Sequence, residues 1–186
     1  HAAKGNKAPK WIIPTNSPQV QAAMSAAIER SWPVILHYEF KAAGHYRKTL
    51  FEELNTVLQA HPGHPFLLIH MAQLNANEAM KLLKTHSNLH FLTSHSNPII
   101  TSKSTQPWIN LFSGRRIKQA WKELMVTYPD QFVLSFDNVW ADHWSGLYTE
   151  QAEIWREALS ELPEDVASAI AYKNAVRLWN LEEPNF

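Results

Sequence analysis

FLLIHMAQ, Phe66 to Gln73, decides how this chain is read. Its apolar run leaves no polar face. That is the pattern of a strand covered on both sides, as in a parallel sheet. The run then stops at an imidazole, His70. A histidine there belongs either to the core or to a site at the end of the strand, and the flanking segments bear on which.

Working outward, short apolar runs alternate with helical patterns. Upstream, HPGHP (His61 to Pro65) breaks the chain. Before it, Leu50, Phe51, Leu54, Val57 and Leu58 recur at helical spacing, and PVILHYEF (Pro33 to Phe40) is rich in strand formers. A helix starts near Asn16, Ser17 and Pro18, with a capping side chain and proline in the first turn. WIIP (Trp11 to Pro14) reads as a short strand. Downstream, Ala76, Ala79, Met80, Leu82 and Leu83 mark a helix, and LHFLTSH (Leu89 to His95) a strand. A long loop runs from Ser96 to Gly114. Ile117, Ala120, Trp121, Leu124 and Met125 then form a helical stripe, and FVLSFD (Phe132 to Asp137) a strand. Two more helices are expected, near Tyr148 to Ser160 and from Pro163. Strands alternating with helices predict an α/β fold with a parallel sheet.

Four successive predicted strands end in an ionisable group: His37, His70, His95 and Asp137. Parallel strands place their carboxyl ends on one side of a domain, where ligands bind in barrels and open sheets alike. The four groups are therefore expected to converge. Imidazoles with a carboxylate suit zinc, manganese or iron. Glu39 shares a face with His37, and His143 lies in the NVWADHWSG loop beyond Asp137. The other histidines read differently. His61 and His64 precede a strand and face the opposite side. His86 closes a helix, His90 packs inside a strand, and His45 has no companion. Trp121, Trp155 and Trp179 are expected in the core. Arg115 and Arg116 could hold a carboxylate, but solvent is the expected surrounding for both.

The totals exclude several classes. The 186 residues are 45% apolar and 18% charged, a globular composition. Seventeen basic and 17 acidic side chains cancel, which argues against nucleic-acid binding. With no cysteine, any metal must be held by His, Asp and Glu. No apolar run approaches membrane-spanning length, and HAAKGNKAPK lacks the apolar centre of a signal peptide. A cytoplasmic location is the expectation. The chain lacks an initiator Met, so the expectation is that either processing has removed a segment or the chain is a piece of a larger one.

These residues, in this order, resemble the amidohydrolase superfamily, in particular its amidohydrolase-related branch. PVILH is similar to that branch's fifth barrel strand, FLLIHMAQ to its sixth and FVLSFDN to its eighth. LPEDVASAIAYKNAVRLWNL is similar to its closing helix. The resemblance spans about Trp11 to Leu181. It implies a metal-dependent (β/α)8 TIM barrel, of which residues 1–186 supply, as a single domain, the carboxyl-terminal part: about five βα units, strands four to eight. His37 and Asp137 would be metal ligands. His70 and Asp137 would be catalytic. Glu39, His95 and His143 would contact substrate or brace the ligands. The family's H-x-H pair on strand one does not occur in this sequence.

The implied activity is hydrolysis of a small-molecule amide, ester or lactone by metal-activated water, with zinc the first choice of metal and manganese or iron behind it. A nonoxidative decarboxylase is the alternative within the superfamily. A non-catalytic barrel fragment acting as a binding or assembly module is the alternative outside it. The expected partners are a small-molecule substrate and either the missing half of the barrel or a second copy of the chain.

Overall fold

The protein is described here, over residues 13–184, by a computed structural model. A helix α1 (Pro18–Glu29) leads into β1 (Val34–Leu36). Then follow α2 (Arg47–Ala60), β2 (Phe66–Leu68), α3 (Ala76–Thr85) and β3 (Leu89–Leu92). The strands β1, β2 and β3 are parallel neighbours, with Val34 opposite Phe66 and Phe66 opposite Leu89. After an excursion, β6 (Phe132–Val133) pairs in parallel with β3, Phe91 facing Phe132. Each of the first three links between sheet neighbours is thus a helix-bearing crossover, as the alternating pattern predicts.

Both faces of the sheet are covered, which is why FLLI carries no polar residue. Phe66 and Leu68 join Phe91 and Phe132 in the main core. Leu67 points the other way, with Leu92, Val133 and Leu178. Phe66, Leu67 and Leu68 are all fully buried. The helices follow their stripes. Leu50, Leu54, Val57 and Leu58 are buried on α2, and Ala79, Leu82 and Leu83 on α3. Trp121 and Trp155 are core residues, and Trp179 is half-buried against Leu178 and its neighbours.

Several expectations change. Trp11 and Ile12 lie outside the described residues, and Ile13 and Pro14 form no strand. The parallel sheet among the described residues has four strands, β1–β2–β3–β6, and open edges, as a part of a barrel would. The strands are also shorter than their apolar runs, because the backbone leaves the sheet while strand-forming residues continue. The Ser96–Gly114 segment is not a plain loop. It contains α4 (Pro98–Lys103), capped by the Asn97 side chain, and β4 (Phe112–Ser113). β4 makes an antiparallel hairpin with β5 (Arg116–Ile117) through Gly114, whose φ of 60° suits glycine. Ile117 therefore lies in a strand, and α5 (Gln119–Thr127) begins after it.

The chain ends in α6 (Gly146–Leu159), α7 (Glu164–Ser168), a π-helical segment Ala169–Lys173 and α8 (Asn174–Trp179). The π segment turns the carbonyl of Ile170 toward the sheet, where it accepts from Leu134 N at 2.8 Å. Asn174 donates through Nδ2 to the carbonyls of Pro129 and Phe132, both at 2.8 Å.

The two ends of the sheet are built differently. At the amino ends, buried amides staple the loops: Asn88 donates to the Leu58 and His61 carbonyls, and Gln131 to those of His86 and Leu89. At the carboxyl ends, ionisable groups gather instead. No helix among the described residues is long and apolar enough to cross a membrane.

Candidate metal centre

Beyond Leu68 the chain does something costly. His70, Met71, Ala72 and Gln73 all take left-handed conformations, with φ of 57°, 53°, 49° and 58°. Each such non-glycine residue is strained by about 1–2 kcal/mol. The turn persists because its surroundings determine it. Phe40 N donates to Ala72 O at 3.1 Å, and Ala42 N to the Gln73 side-chain oxygen at 3.0 Å. The result is a sharp exit that buries His70, only 1% exposed, at the carboxyl end of β2.

Ser94 fixes that ring. Its Oγ accepts from His70 N at 3.2 Å and lies 3.0 Å from His70 Nδ1. Nε2 is thereby directed at Asp137. Ser94 is itself tied across to the neighbouring strand. Ser94 N donates to Ser135 Oγ, and Ser135 N donates back to Thr93 Oγ1, both at 3.0 Å. Side-chain hydroxyls thus continue the β3–β6 ladder after its backbone pairing stops.

His95, again left-handed with φ 58°, lies against His70. The two imidazoles stack at 4.5 Å with an interplanar angle of 1°. Asp137 faces both: Oδ2 is 3.5 Å from His70 Nε2 and 3.7 Å from His95 Nε2. Ligand atoms of His70, His95 and Asp137 all lie within 4.8 Å of one another. Burial pushes the His95 pKa down, against the upward pull of the Asp137 carboxylate and carbonyl, and His143 adds to the lowering. A neutral ring is the form that ligates metal.

The donor set fits a divalent ion. Ligand atoms about 2.0–2.1 Å from a tetrahedral zinc lie about 3.3 Å from each other, close to the 3.5 and 3.7 Å found here. These separations exceed a good hydrogen bond of about 2.7–3.2 Å. The same His95 Nε2 lies 3.3 Å from the Asp137 carbonyl oxygen, while Nδ1 on the far side of the ring is buried without a hydrogen-bond partner. Two imidazoles and one carboxylate are typical zinc donors.

His37 occupies the rim. Its ring meets that of His70 edge-on at 5.1 Å, and its Nε2 lies 3.2 Å from Glu39 Oε1. With its side chain 44% exposed, His37 stands on the solvent side of the three close donors. His143 braces the following loop, its Nδ1 accepting from Val139 N at 3.2 Å. The other described histidines lie elsewhere. His90 bonds the Asp130 carbonyl, His86 bonds Asn55, His64 packs on Phe66 and His45 stacks on Tyr46. Arg115 makes a two-pronged pair with Glu157, and Arg116 pairs with Glu161, both at the surface.

Two contributors escape sequence reasoning. Ser94 had a faint signal, a hydroxyl at the strand exit beside His95. Trp108 had none, yet its indole touches both buried imidazoles.

A family model described as Amidohydrolase matches residues 7–181. No curated protein matches the chain.

Proposed function

The chain belongs to the amidohydrolase family, and from that premise we propose that it is a metal-dependent hydrolase of a small-molecule amide, ester or lactone. The observation that carries this reading is the convergence of His70, His95 and Asp137 at the carboxyl ends of three different strands. These three residues would hold the metal, with zinc the first choice for two nitrogens and a carboxylate. When bound there, a divalent ion supplies Lewis acidity: it polarises a carbonyl oxygen and lowers the pKa of water.

The chain's own groups do the rest. Asp137, 18% exposed at the mouth, is placed to take the proton of an attacking water at its carboxylate. His70 holds its orientation through Ser94 and presents Nε2 to the same point. His37, expected from the sequence to be a metal ligand, stands at the rim with Glu39. We assign it instead to the leaving group, as the donor of the returning proton. A decarboxylase would need a cation for the substrate carboxylate, either a basic side chain or the metal itself. Arg115 and Arg116 pair with Glu157 and Glu161 at the surface, as expected of solvated side chains, and a decarboxylase stays the alternative.

The test is metal content by elemental mass spectrometry on protein purified without chelator. Near-stoichiometric zinc, manganese or iron is expected, with most of it lost in Asp137→Asn and in His70→Gln. Folded wild-type protein that neither carries nor takes up any of these metals would sink the reading. A screen of amides, esters and lactones then follows on the loaded protein.

A further inference from the structure

Trp108 bounds the donor cluster on one side. Its ring centroid lies 4.6 Å from that of His70 and 5.2 Å from that of His95, with interplanar angles of 47° and 46°. The nearly equal tilts follow from the imidazoles being parallel. Aromatic rings in contact have centroids about 4.5–7 Å apart, so the indole touches both histidines. A substrate group sandwiched between indole and imidazole needs about 7–8 Å, twice a van der Waals separation. That space does not exist. His37, which also meets the His70 ring, is by contrast 44% exposed.

The segment carrying Trp108 is pinned. Leu111 N donates to Ser96 O at 2.9 Å, returning the chain to the point where it left the sheet. Lys118 fastens it further, through Nζ to Asn110 O at 2.7 Å and through N to Leu111 O at 2.9 Å. Asn97, at the start of the excursion, is buried and donates to Gln151 on α6 at 3.0 Å.

We propose that Trp108 is a specificity-determining wall. It closes one side of the His70–His95 stack and admits substrate only from the His37–Glu39 side. The substrates so selected carry bulk on one side of the reacting carbonyl and little on the other. This rests on the hydrolase reading above.

The experiment compares wild type, Trp108→Phe and Trp108→Ala in two ways. The first arm loads the protein with zinc and follows its capture by the planar chelator 4-(2-pyridylazo)resorcinol. The second needs no metal: diethyl pyrocarbonate modifies histidines in the unloaded protein, and peptide mass spectrometry reads the rates at His70 and His95. Trp108→Ala is expected to raise both rates by about tenfold, the scale of losing two ring contacts, with Trp108→Phe close to wild type. Rates in folded Trp108→Ala that match wild type in both arms would overturn the wall. If zinc never binds, the hydrolase reading fails, while the histidine arm still decides whether Trp108 shields the stack. Should Trp108→Ala not fold, Trp108→Leu carries the same two arms.

Discussion

His90 and His70 are both buried, 5% and 1% exposed, yet they mean opposite things. His90 sits within β3 and lies 3.0 Å from the Asp130 carbonyl, so Nδ1 carries the proton and donates it. Burial pulls its pKa down to about 4; the Asp130 carbonyl and carboxylate oppose this, and Arg177 reinforces it. The unfolded ring takes its proton near pH 6.5, whereas the folded ring waits until about 4. Between those values the unfolded chain binds more protons, so stability falls as pH drops through that window. The full loss approaches about 3 kcal/mol at one pKa unit per 1.36 kcal/mol. Urea denaturation from pH 7 to 4 is expected to show this slope in wild type and a shallower one in His90→Gln. Equal slopes would disprove it. Sequence alone separates the two histidines, because one lies inside a strand and the other just past its end. The gathering of His70, His95 and Asp137 is legible for the same reason, since parallel strands share an exit side. Which three groups come closest is not legible. That depends on left-handed turns at His70 and His95, which no glycine marks.

At the scale of elements, the unexpected features are places where helices and strands stop. PVILHYEF keeps strand-forming residues up to Phe40, but β1 ends at Leu36. Beyond it the chain bonds to the neighbouring turn and not to a strand, Phe40 N donating to Ala72 O and Ala42 N to the Gln73 side-chain oxygen. The small helix and hairpin within Ser96–Gly114 are too short to show a period. The end of α1 offers a cleaner case. Ser31 N donates to Ile28 O at 3.0 Å and Trp32 N to Ala27 O at 2.8 Å, a Schellman motif. The residue at its left-handed position is Ser31, φ 56° and exposed, where glycine is the usual choice. Ser31→Gly removes that strain and loses no packing. After subtracting glycine's greater freedom in the unfolded chain, a gain of about 0.5–1 kcal/mol is expected in urea denaturation. A loss of stability would show that the serine makes a contact stronger than the strain.

For the molecule as a whole, the sheet has two unlike edges. The β6 side is closed by the π segment through the Leu134–Ile170 hydrogen bond. The β1 side has no strand beyond it among the described residues, and Ile35 in the middle of β1 is 50% exposed. Open apolar edges invite pairing with other chains, and a lysine there discourages it. Ile35→Lys is expected to change stability by less than about 0.5 kcal/mol, while reducing concentration-dependent association in sedimentation velocity. Identical behaviour of the two proteins would show that this edge takes no part in association. The closed side carries a different constraint, one on chain length. A π segment is an α-helix widened by one residue. Five π residues turn about as far as four α residues, so deleting one between Ala169 and Lys173 would restore regular helix and leave the chain after it in place. Asn174 would keep the Pro129 and Phe132 carbonyls and Leu178 the apolar face of the sheet, while the Ile170 carbonyl would lose the wide turn that frees it for Leu134 N. Natural variants are therefore expected to tolerate the loss of one residue in this stretch, at the cost of the closing bond to Leu134, far better than a further insertion.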